Sequence, residues 1–517
     1  MYHLPGKTLL PWQQKCLELW FKNGSRGIVN VVTGAGKTLL ALGAAHDIRE
    51  KLTVKIVVPK VFLASQWIRS ITEELHVPRE SIGIYTGSFK NNAKKEYMVY
   101  VVNSARYSIS RHILADMRDG YSVLLICDEC HHYGSEENAK IFDFLPFIGQ
   151  YETQYKTHYY SLGLSATPRS PKYKEILVPA LGKEIFRLNF KDAVSANVIS
   201  KYSIFNIGLD FTEDEAEEYQ SISEELTKSL ILLKKKYPML ASLQGSEFFS
   251  MLQSLCVGPH SALAKAALFS MYERKRIVYS ARNRIDCACS LVKELPQRDK
   301  IIIFGEQIQM VEALYKRLNA YCPNQVCRYH SKMSTAAKVA ALDRYCNSQA
   351  RILICCRALD EGLNVPETDA GIILSSTGSV RQRVQRIGRI LRRCGSDGVK
   401  NVYYLHINNS VEEDGLIAED IYADMPVCDV FYNCKAGDFY CPGYDPIITG
   451  TIDWFRAKGA PPVLLGEIES NLKKVLLRGD IRLSEEQCAA NIAASGDASE
   501  KNYWIAVLTA IKLFELS

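Results

Sequence analysis

The feature that most constrains the fold of this chain is the hexapeptide TGAGKT, which follows an apolar run and precedes a helical pattern. Glycines in such a loop let backbone N–H groups turn inward, where they can surround phosphate oxygens. Lys37 would then supply a positive charge to the β- and γ-phosphates of a nucleotide, and the Thr38 hydroxyl would bind Mg²⁺. Val31 stands where the pattern G-x-x-x-x-G-K-[ST] has its first glycine, and the alternative is a chance glycine turn. The predicted phosphate-binding residues are Thr33, Gly34, Ala35, Gly36, Lys37 and Thr38.

A second segment, ICDECHH, places two adjacent carboxylates directly after the apolar strand predicted at Val123–Cys127. Ligands of open parallel sheets bind at the carboxyl ends of the strands. Asp128 is therefore predicted to hold Mg²⁺, directly or through water, and Glu129 to polarise an attacking water. Cys130 and His131 also suggest zinc, but a second pair at zinc-site spacing is not found nearby, so a structural or coupling role is favoured.

The third segment, QRIGRILRR, is predicted to be a helix at about 381–393 that carries six arginines. Because an α-helix repeats every 3.6 residues, Gln385, Arg389 and Arg392 share one face. Planar guanidinium groups match phosphate oxygens, so Arg389 and Arg392 are the predicted groups that contact the γ-phosphate across a cleft between two domains. Of the other four arginines, those at 381, 383 and 393 are interpreted as surface charges or partners in ion pairs, and Arg386 is given no role.

Strand and helix patterns alternate twice along the chain, and this predicts an α/β fold. Continuous Val, Ile and Leu runs without polar alternation are typical of parallel strands that are buried on both faces. The runs lie within residues 27–165 and again within 301–407, and helical spacing alone fills the stretch between about 210 and 295. The sequence therefore predicts two tandem parallel-sheet domains, a helical connector or insertion, and a small C-terminal accessory region.

Taken together, these segments resemble the motor of the superfamily-two helicases, a family with two RecA-like domains in one chain. Asp128–His131 resembles its DExH box, and Gln385–Arg392 matches its sixth motif, Q-x-x-G-R-x-x-R. Three further matches are Pro11–Gln13, Ser165–Thr167 and Leu359–Pro366. The resemblance covers roughly residues 8–408 and implies a nucleic-acid-stimulated ATPase with ATP and Mg²⁺ as cofactors. Its domains would be residues 1–209, 210–295 (the connector), 296–410 and 411–517.

The resemblance also implies roles for residues that the pattern of the sequence alone does not explain. Gln13 would read the adenine, and Asp360 and Gly362 would contribute to the nucleotide site. Residues Ser165, Ala166 and Thr167 would couple hydrolysis to nucleic-acid contact.

Within the superfamily, the segment PKVFLASQW and the stretch ALDEGLNVPETD are closest to the duplex-DNA translocases of the XPB, UvsW and RadD type and to restriction-enzyme motor subunits. A helicase or translocase acting on duplex or branched DNA is therefore expected. Leu10 departs from the subgroup, which often has arginine there. The alternatives are an RNA helicase or RNA-stimulated ATPase, and a nucleotide-gated scaffold or clamp in a multi-protein genome-defence or repair complex.

Composition sets broad limits on these hypotheses. The net charge of +6 permits nucleic-acid binding without arguing for it, so any basic surface must be local. No apolar run approaches the roughly 18 residues that cross a bilayer, so a membrane partner is not expected. The sixteen cysteines are scattered, and reduced thiols in a cytoplasmic or nucleoid-associated protein are expected. Cys428, Cys434 and Cys441 suggest part of a zinc knuckle, but a small buried cluster is favoured.

Overall fold

The structure is a computed structural model, and it describes residues 3–87, 89–91, 94–170, 172–243, 245–259, 261–356, 368–375, 386–388, 390–391, 399–412 and 427–515. The chain divides into two compact units. The first contains residues 1–200 and also includes the described residues 386–388 and 390–391. The second contains most of the chain from Lys201 onward.

Within the described residues, the first unit is built around a sheet of seven strands that are all parallel, in the order β5-β6-β4-β7-β8-β3-β9. The central strands are buried on both faces, as their Val, Ile and Leu content predicts. A short antiparallel hairpin, β1 and β2, precedes the sheet. The strands are β1 His3–Leu4, β2 Lys7–Thr8, β3 Arg26–Val31, β4 Leu52–Val58, β5 Ile82–Tyr85, β6 Tyr97–Val101, β7 Ser122–Asp128, β8 Tyr159–Ser165 and β9 Glu184–Leu188.

Helices connect most of the parallel strands of the first unit, because a parallel pair needs a crossover connection; between β5 and β6 no helix is described. One apolar cluster lies between the sheet and helix α5, and it includes Ile109, Ile113 and Met117. The helices are α1 Pro11–Lys22, α2 Lys37–Asp47, α3 Val61–Leu75, α4 Val102–Ala105, α5 Ile109–Arg118, α6 Glu136–Ala139, α7 Ile148–Tyr155, α8 Val178–Leu181 and α9 Phe190–Ser195.

The second unit contains eight described strands in the order β12-β13-β11-β14-β15-β10-β16-β17. All neighbours are parallel except β16 and β17, which form an antiparallel hairpin at the edge. The tandem parallel-sheet fold predicted from the sequence is thus confirmed. The strands are β10 Tyr202–Leu209, β11 Ile301–Gly305, β12 Val326–Tyr329, β13 Ile352–Cys356, β14 Ala370–Ile373, β15 Lys400–Ile407, β16 Val427–Asn433 and β17 Asp438–Tyr440.

Helices of the second unit fall into three groups along the chain. The predicted helical stretch between β10 and β11 is helical in the structure, and α10 begins with a capping box formed by Thr212 and Glu215. Among the described residues, two helices lie between β11 and β13, and four follow the edge hairpin. The bounds are α10 Glu213–Lys236, α11 Gly245–Ser254, α12 Ser261–Ser280, α13 Asn283–Glu294, α14 Ile308–Tyr321, α15 Thr335–Cys346, α16 Asp445–Ala457, α17 Pro462–Arg478, α18 Glu485–Ala494 and α19 Ala498–Phe514.

The division between the units differs from the domain boundaries inferred from the sequence. Strand β10 lies within the predicted first domain, yet it pairs with β15 and β16 in the second sheet. The edge hairpin of the predicted C-terminal region also extends that sheet. Both differences arise because strand pairing joins segments that are distant in the sequence. Among the described residues, no helix is long and apolar enough to cross a membrane.

A polar cavity of about 830 Å³ lies in the second unit, between the C-terminal helices and the amino ends of its sheet strands. Two of its carboxyl groups are affected by burial. Burial, together with the nearby Asp369, raises the pKa of Asp299 to about 7. Burial also raises the pKa of Asp480 to about 6, although Tyr503 and Arg478 partly oppose this shift. Both groups are therefore easier to protonate in the folded protein than in the unfolded chain.

We expect this pair to make the second unit less stable as the pH rises. A carboxyl whose folded pKa is raised contributes stability that is complete below its unfolded pKa and is lost as the pH rises through the folded value. Between about pH 5 and about pH 7, the melting temperature of Asp299→Asn should therefore fall less than that of the parent protein. The matched control is Asp343→Asn, an exposed carboxylate of the same unit. If the melting temperatures of the parent, Asp299→Asn and Asp343→Asn changed equally with pH, the raised pKa assigned to Asp299 would be wrong.

Candidate functional site

The order of the strands in the first sheet brings three sequence motifs to one edge. Strands β7, β8 and β3 are adjacent and parallel, so their carboxyl ends meet. The loop that leads to Lys37 follows β3, Asp128 ends β7, and Ser165 ends β8. Motifs more than 120 residues apart in the chain are thus neighbours in the fold.

The phosphate loop has the backbone conformation that its glycines predict. Gly34 and Gly36 have φ angles of 86° and 95°, a region that favours glycine. Helix α2 begins at Lys37, so the loop leads into a helix N-terminus, where N–H groups are available to an anion. The Lys37 ammonium lies 3.0 Å from the carbonyl oxygen of Val31 and 3.4 Å from that of Val32. The residue that replaces the first glycine of the pattern, Val31, therefore accepts a hydrogen bond from Lys37 through its backbone carbonyl.

Gln13 is held against the phosphate loop by both ends of its amide. Its Oε1 accepts a hydrogen bond from the Leu10 backbone N–H at 2.8 Å, and its Nε2 donates to the Gly36 carbonyl at 3.0 Å. The side chain is buried at the start of helix α1. The Leu10 side chain is exposed, and Leu10 contacts Gln13 through its backbone N–H.

Asp128 is fixed by donors on both carboxylate oxygens. Its Oδ2 accepts a hydrogen bond from Trp67 Nε1 at 2.9 Å, and its Oδ1 lies 3.0 Å from the Glu129 backbone nitrogen. Burial raises the pKa of the Asp128 carboxyl, while the Trp67 hydrogen bond and the Lys37 charge act to lower it. The carboxylate is thus oriented by the protein and electrostatically coupled to the phosphate loop.

Glu129 adopts a left-handed backbone conformation, with φ of 46°. This conformation costs a residue with a side chain about 1–2 kcal/mol, so the surrounding structure must hold it in place. One support is Tyr133, whose hydroxyl lies 2.8 Å from the Asp128 carbonyl oxygen and 2.9 Å from that of Val57. No role for Tyr133 is predicted from the sequence, although it lies only four residues beyond Glu129.

A chain of contacts leads from Glu129 to the residues that end β8. His131 Nδ1 lies 3.5 Å from Glu129 Oε2 and 2.9 Å from the Ser165 hydroxyl. That hydroxyl accepts a hydrogen bond from the Thr167 backbone N–H at 3.0 Å. Ala166 lies between them. The predicted coupling residues Ser165, Ala166 and Thr167 are thereby brought together with the DECH segment.

The arginine-rich segment is only partly described. Gly388 packs so closely on Thr33 that an added Cβ would lie 1.3 Å from the Thr33 hydroxyl oxygen, and both residues belong to the first unit. Arg386, which the sequence left without a role, is fully buried. Gln385, Arg389, Arg392, Asp360 and Gly362 lie outside the described residues, and their roles remain predictions.

A groove of about 700 Å³ lies at the carboxyl ends of β11 and β13 in the second unit. Arg276, Gln307, Ser331 and Lys332 line it. Arg276 also forms ion pairs with Glu218 and Glu273. The basic segment Arg274–Arg276 is visible in the sequence, but the sequence does not join Arg276, which lies on α12, to Ser331 and Lys332 about 55 residues further on. The signal available for Gln307, Ser331 and Lys332 was the polar loop after each buried strand.

Two zinc alternatives raised by the sequence can be compared with the structure. Among the described residues, no group of three or more His, Cys, Asp or Glu side chains is arranged to hold a metal ion. Cys428 and Cys441 have their sulfur atoms 3.0 Å apart, and all the described cysteines are free thiols. Neither the Cys130–His131 segment nor the C-terminal cysteines therefore present a zinc site within the described residues.

Comparison with known proteins gives two family matches and a consistent set of relatives. Residues 6–170 match the family "Type III restriction enzyme, res subunit", and residues 283–394 match "Helicase conserved C-terminal domain". The "DNA 3'-5' translocase XPB2" of Sulfurisphaera tokodaii is 27% identical over 74% of this chain and 79% of its own length. The "DNA 3'-5' helicase XPB" of Mycobacterium tuberculosis is 23% identical over 81% of this chain and 63% of its own length.

Solved structures support the fold at low sequence identity. The helicase domain of Pyrococcus furiosus Hef matches with a TM-score of 0.51 and 17% identity, over 79% of this chain and 98% of that one. The type ISP restriction-modification enzyme LlaBIII matches with a TM-score of 0.52 and 14% identity, over 98% of this chain and 41% of its own.

The two parallel sheets and the P-loop, DECH and S-A-T motifs define an ATP-dependent motor of the helicase class. The chain belongs to the helicases of superfamily two. Within that superfamily it is related to XPB and to the restriction-motor ATPases.

Proposed function

We propose that this protein is an ATP-dependent helicase or translocase that acts on DNA, with duplex or branched DNA as its substrate. The observation that carries the proposal is the meeting of Lys37, Asp128 and Ser165 at adjacent strand ends of one sheet. The XPB relatives are named for action on DNA, which favours DNA over RNA. A cytoplasmic or nucleoid location fits this activity.

Each residue of the site has a proposed part in hydrolysis. The phosphate loop from Thr33 to Thr38 binds the phosphates, and Gln13 lies beside it to contact the adenine. The Asp128 carboxylate and the Thr38 hydroxyl are oxygen donors of the kind that Mg²⁺ prefers. When bound there, Mg²⁺ would neutralise charge on the phosphate oxygens. Glu129 orients the attacking water and accepts its proton.

The contacts from Glu129 through His131 to Ser165 give a route between hydrolysis and nucleic-acid contact. A change in the position or charge of the Glu129 carboxylate during the ATPase cycle would alter its contact with His131 Nδ1, 3.5 Å away. His131 would then transmit the change to the Ser165 hydroxyl, which lies 2.9 Å from the same nitrogen. In the second unit, the groove with Arg276 and Lys332 offers cations to a phosphate backbone. The division into a helical connector, residues 210–295, and a C-terminal region, residues 411–517, remains part of this proposal, although the edge hairpin of the C-terminal region pairs with the second sheet.

The experiment that tests the proposal measures ATP hydrolysis with single-stranded DNA, duplex DNA and RNA in parallel, alongside strand displacement and translocation. Stimulation by DNA together with movement along it is the expected result. Stimulation by RNA alone would favour an RNA helicase. Turnover without displacement or translocation on any substrate would favour the nucleotide-gated scaffold, which acts within a complex of several proteins.

Binding of DNA is expected to weaken steeply as salt rises and to depend little on base sequence. Contacts with phosphates release counterions, so the logarithm of the affinity falls linearly with the logarithm of the salt concentration. The slope of this line is roughly −0.9 for each phosphate contacted. Fluorescence anisotropy at several salt concentrations with two unrelated duplexes measures this. A flat response with strong sequence preference would indicate a site-specific binding protein instead.

Lys37→Ala is expected to lower the rate of ATP hydrolysis by roughly a hundredfold to a thousandfold, because it removes a charge positioned for the transferred phosphoryl group. Steady-state hydrolysis with saturating DNA measures the effect. Lys22→Ala, an exposed lysine at the end of α1, is the charge-matched control and should behave like the parent. A folded Lys37→Ala protein with the parental rate would show that the loop does not hold the reacting phosphate.

A further inference from the structure

We propose that Trp67 is a positioning residue for Asp128, and that its indole N–H sets the orientation in which the carboxylate meets Mg²⁺. This inference rests on the proposed function, since it assigns Mg²⁺ to Asp128. Trp67 lies on α3, a helix that the P-loop and DECH motifs do not include. Its role is therefore one that those motifs do not supply.

The geometry of the contact leaves the carboxylate little freedom. The Trp67 side chain is only 2% exposed, so packing fixes the ring. Its Nε1 donates to Asp128 Oδ2 at 2.9 Å, while the Glu129 backbone nitrogen lies 3.0 Å from Oδ1. One donor on each oxygen fixes the plane of the group. Each carboxylate oxygen has two lone pairs, so both retain one for a cation or its water.

A partner of this kind matters because a metal ligand must be held before the metal arrives. Groups that hydrogen-bond to metal ligands orient them, and their loss typically lowers metal affinity by roughly 10- to 100-fold. The indole N–H is a donor only, so it can orient an ionised carboxylate without competing for the cation. The packing role of a buried tryptophan is the alternative, and replacement by phenylalanine separates the two, because it keeps an aromatic ring and removes the N–H.

The first unit offers a matched control for this replacement. Trp20 is fully buried, and its Nε1 donates to the Ser161 carbonyl at 2.9 Å, in the interior of the same sheet. Trp20→Phe therefore removes a buried indole hydrogen bond of the same length from a residue that does not contact the site. Melting temperatures of both variants report how much stability each loses.

The experiment titrates Mg²⁺ into full-length protein and a fluorescent ADP analogue, and measures the Mg²⁺ concentration that gives half of the metal-dependent change in nucleotide binding. Trp67→Phe should raise this concentration by roughly tenfold, while nucleotide binding in EDTA stays at the parental level. In hydrolysis, saturating Mg²⁺ should restore most of kcat. Trp20→Phe should keep the parental Mg²⁺ requirement.

Other results would overturn the inference or the function on which it rests. A parental Mg²⁺ requirement in Trp67→Phe, or an equal shift in Trp20→Phe, would reduce Trp67 to a packing role. Absence of any Mg²⁺-dependent nucleotide binding by the parent would instead count against the proposed function. If Trp67→Phe does not fold, indole ¹⁵N–¹H spectra of the parent protein test the inference. The Trp67 signal is the one that remains when each of the other tryptophans is replaced in turn by phenylalanine. It should shift when Mg²⁺ and ADP are added, and an unchanged signal would contradict the positioning role.

Discussion

Replacement of Arg392 with alanine is expected to slow ATP hydrolysis by roughly a thousandfold or more, the value of an arginine that stabilises the transferred phosphoryl group. Nucleotide binding should stay near the parental level, since the phosphate loop supplies most phosphate contacts. Arg392→Lys should recover little activity, because an ammonium cannot reproduce the two parallel hydrogen bonds of a guanidinium. Single-turnover hydrolysis together with nucleotide titration measures both quantities.

The control for Arg392 is its neighbour. The helix predicted from the sequence places Gln385, Arg389 and Arg392 on one face, which is expected to meet the nucleotide, and position 393 is rotated by a further 100° or so. Arg393→Ala should be mild. Equal losses at the two positions would show that the helix register, or its orientation toward the nucleotide, is mistaken.

Glu129→Gln is expected to lower hydrolysis by roughly a hundredfold to ten-thousandfold, the usual contribution of a positioned general base. The amide keeps the size of the side chain and can still hydrogen-bond, but it cannot accept the proton of water. The variant should therefore bind ATP with Mg²⁺ and retain it. Parallel measurements of nucleotide affinity and single-turnover rate test this expectation.

Glu136→Gln is the matched control for Glu129→Gln. Glu136 is exposed seven residues along the chain and pairs with Lys172 on the surface. Its replacement should leave the hydrolysis rate unchanged. Loss of ATP binding in Glu129→Gln would point to a structural role for Glu129. Its left-handed backbone and its contact with His131 would then explain such a role.

The sequence correctly predicts most of the strands that form the centre of each sheet. The runs of β7 and β11 are almost continuously apolar, and β4 and β15 are mostly so, because a parallel strand covered on both faces has no exposed side. The strands it misses are short or lie toward the edges: β9, β12 and β17 contain charged residues, and β5 has only four residues. Strand β10 was also missed as part of the second sheet, since pairing partners far along the chain leave no local signal.

What the sequence by itself determines is the chemistry of the first unit: a loop for phosphates, a carboxylate pair at a strand end, and the S-A-T segment. Spacing and residue type suffice there, because each motif is local and its chemistry requires those side chains. Only the tertiary structure decides that β8 lies between β3 and β7, so that Ser165 lies close to His131. It also decides that Trp67 binds Asp128 and that Tyr133 supports the turn. These contacts depend on where helices and strands pack, and packing between distant segments is set by the whole core.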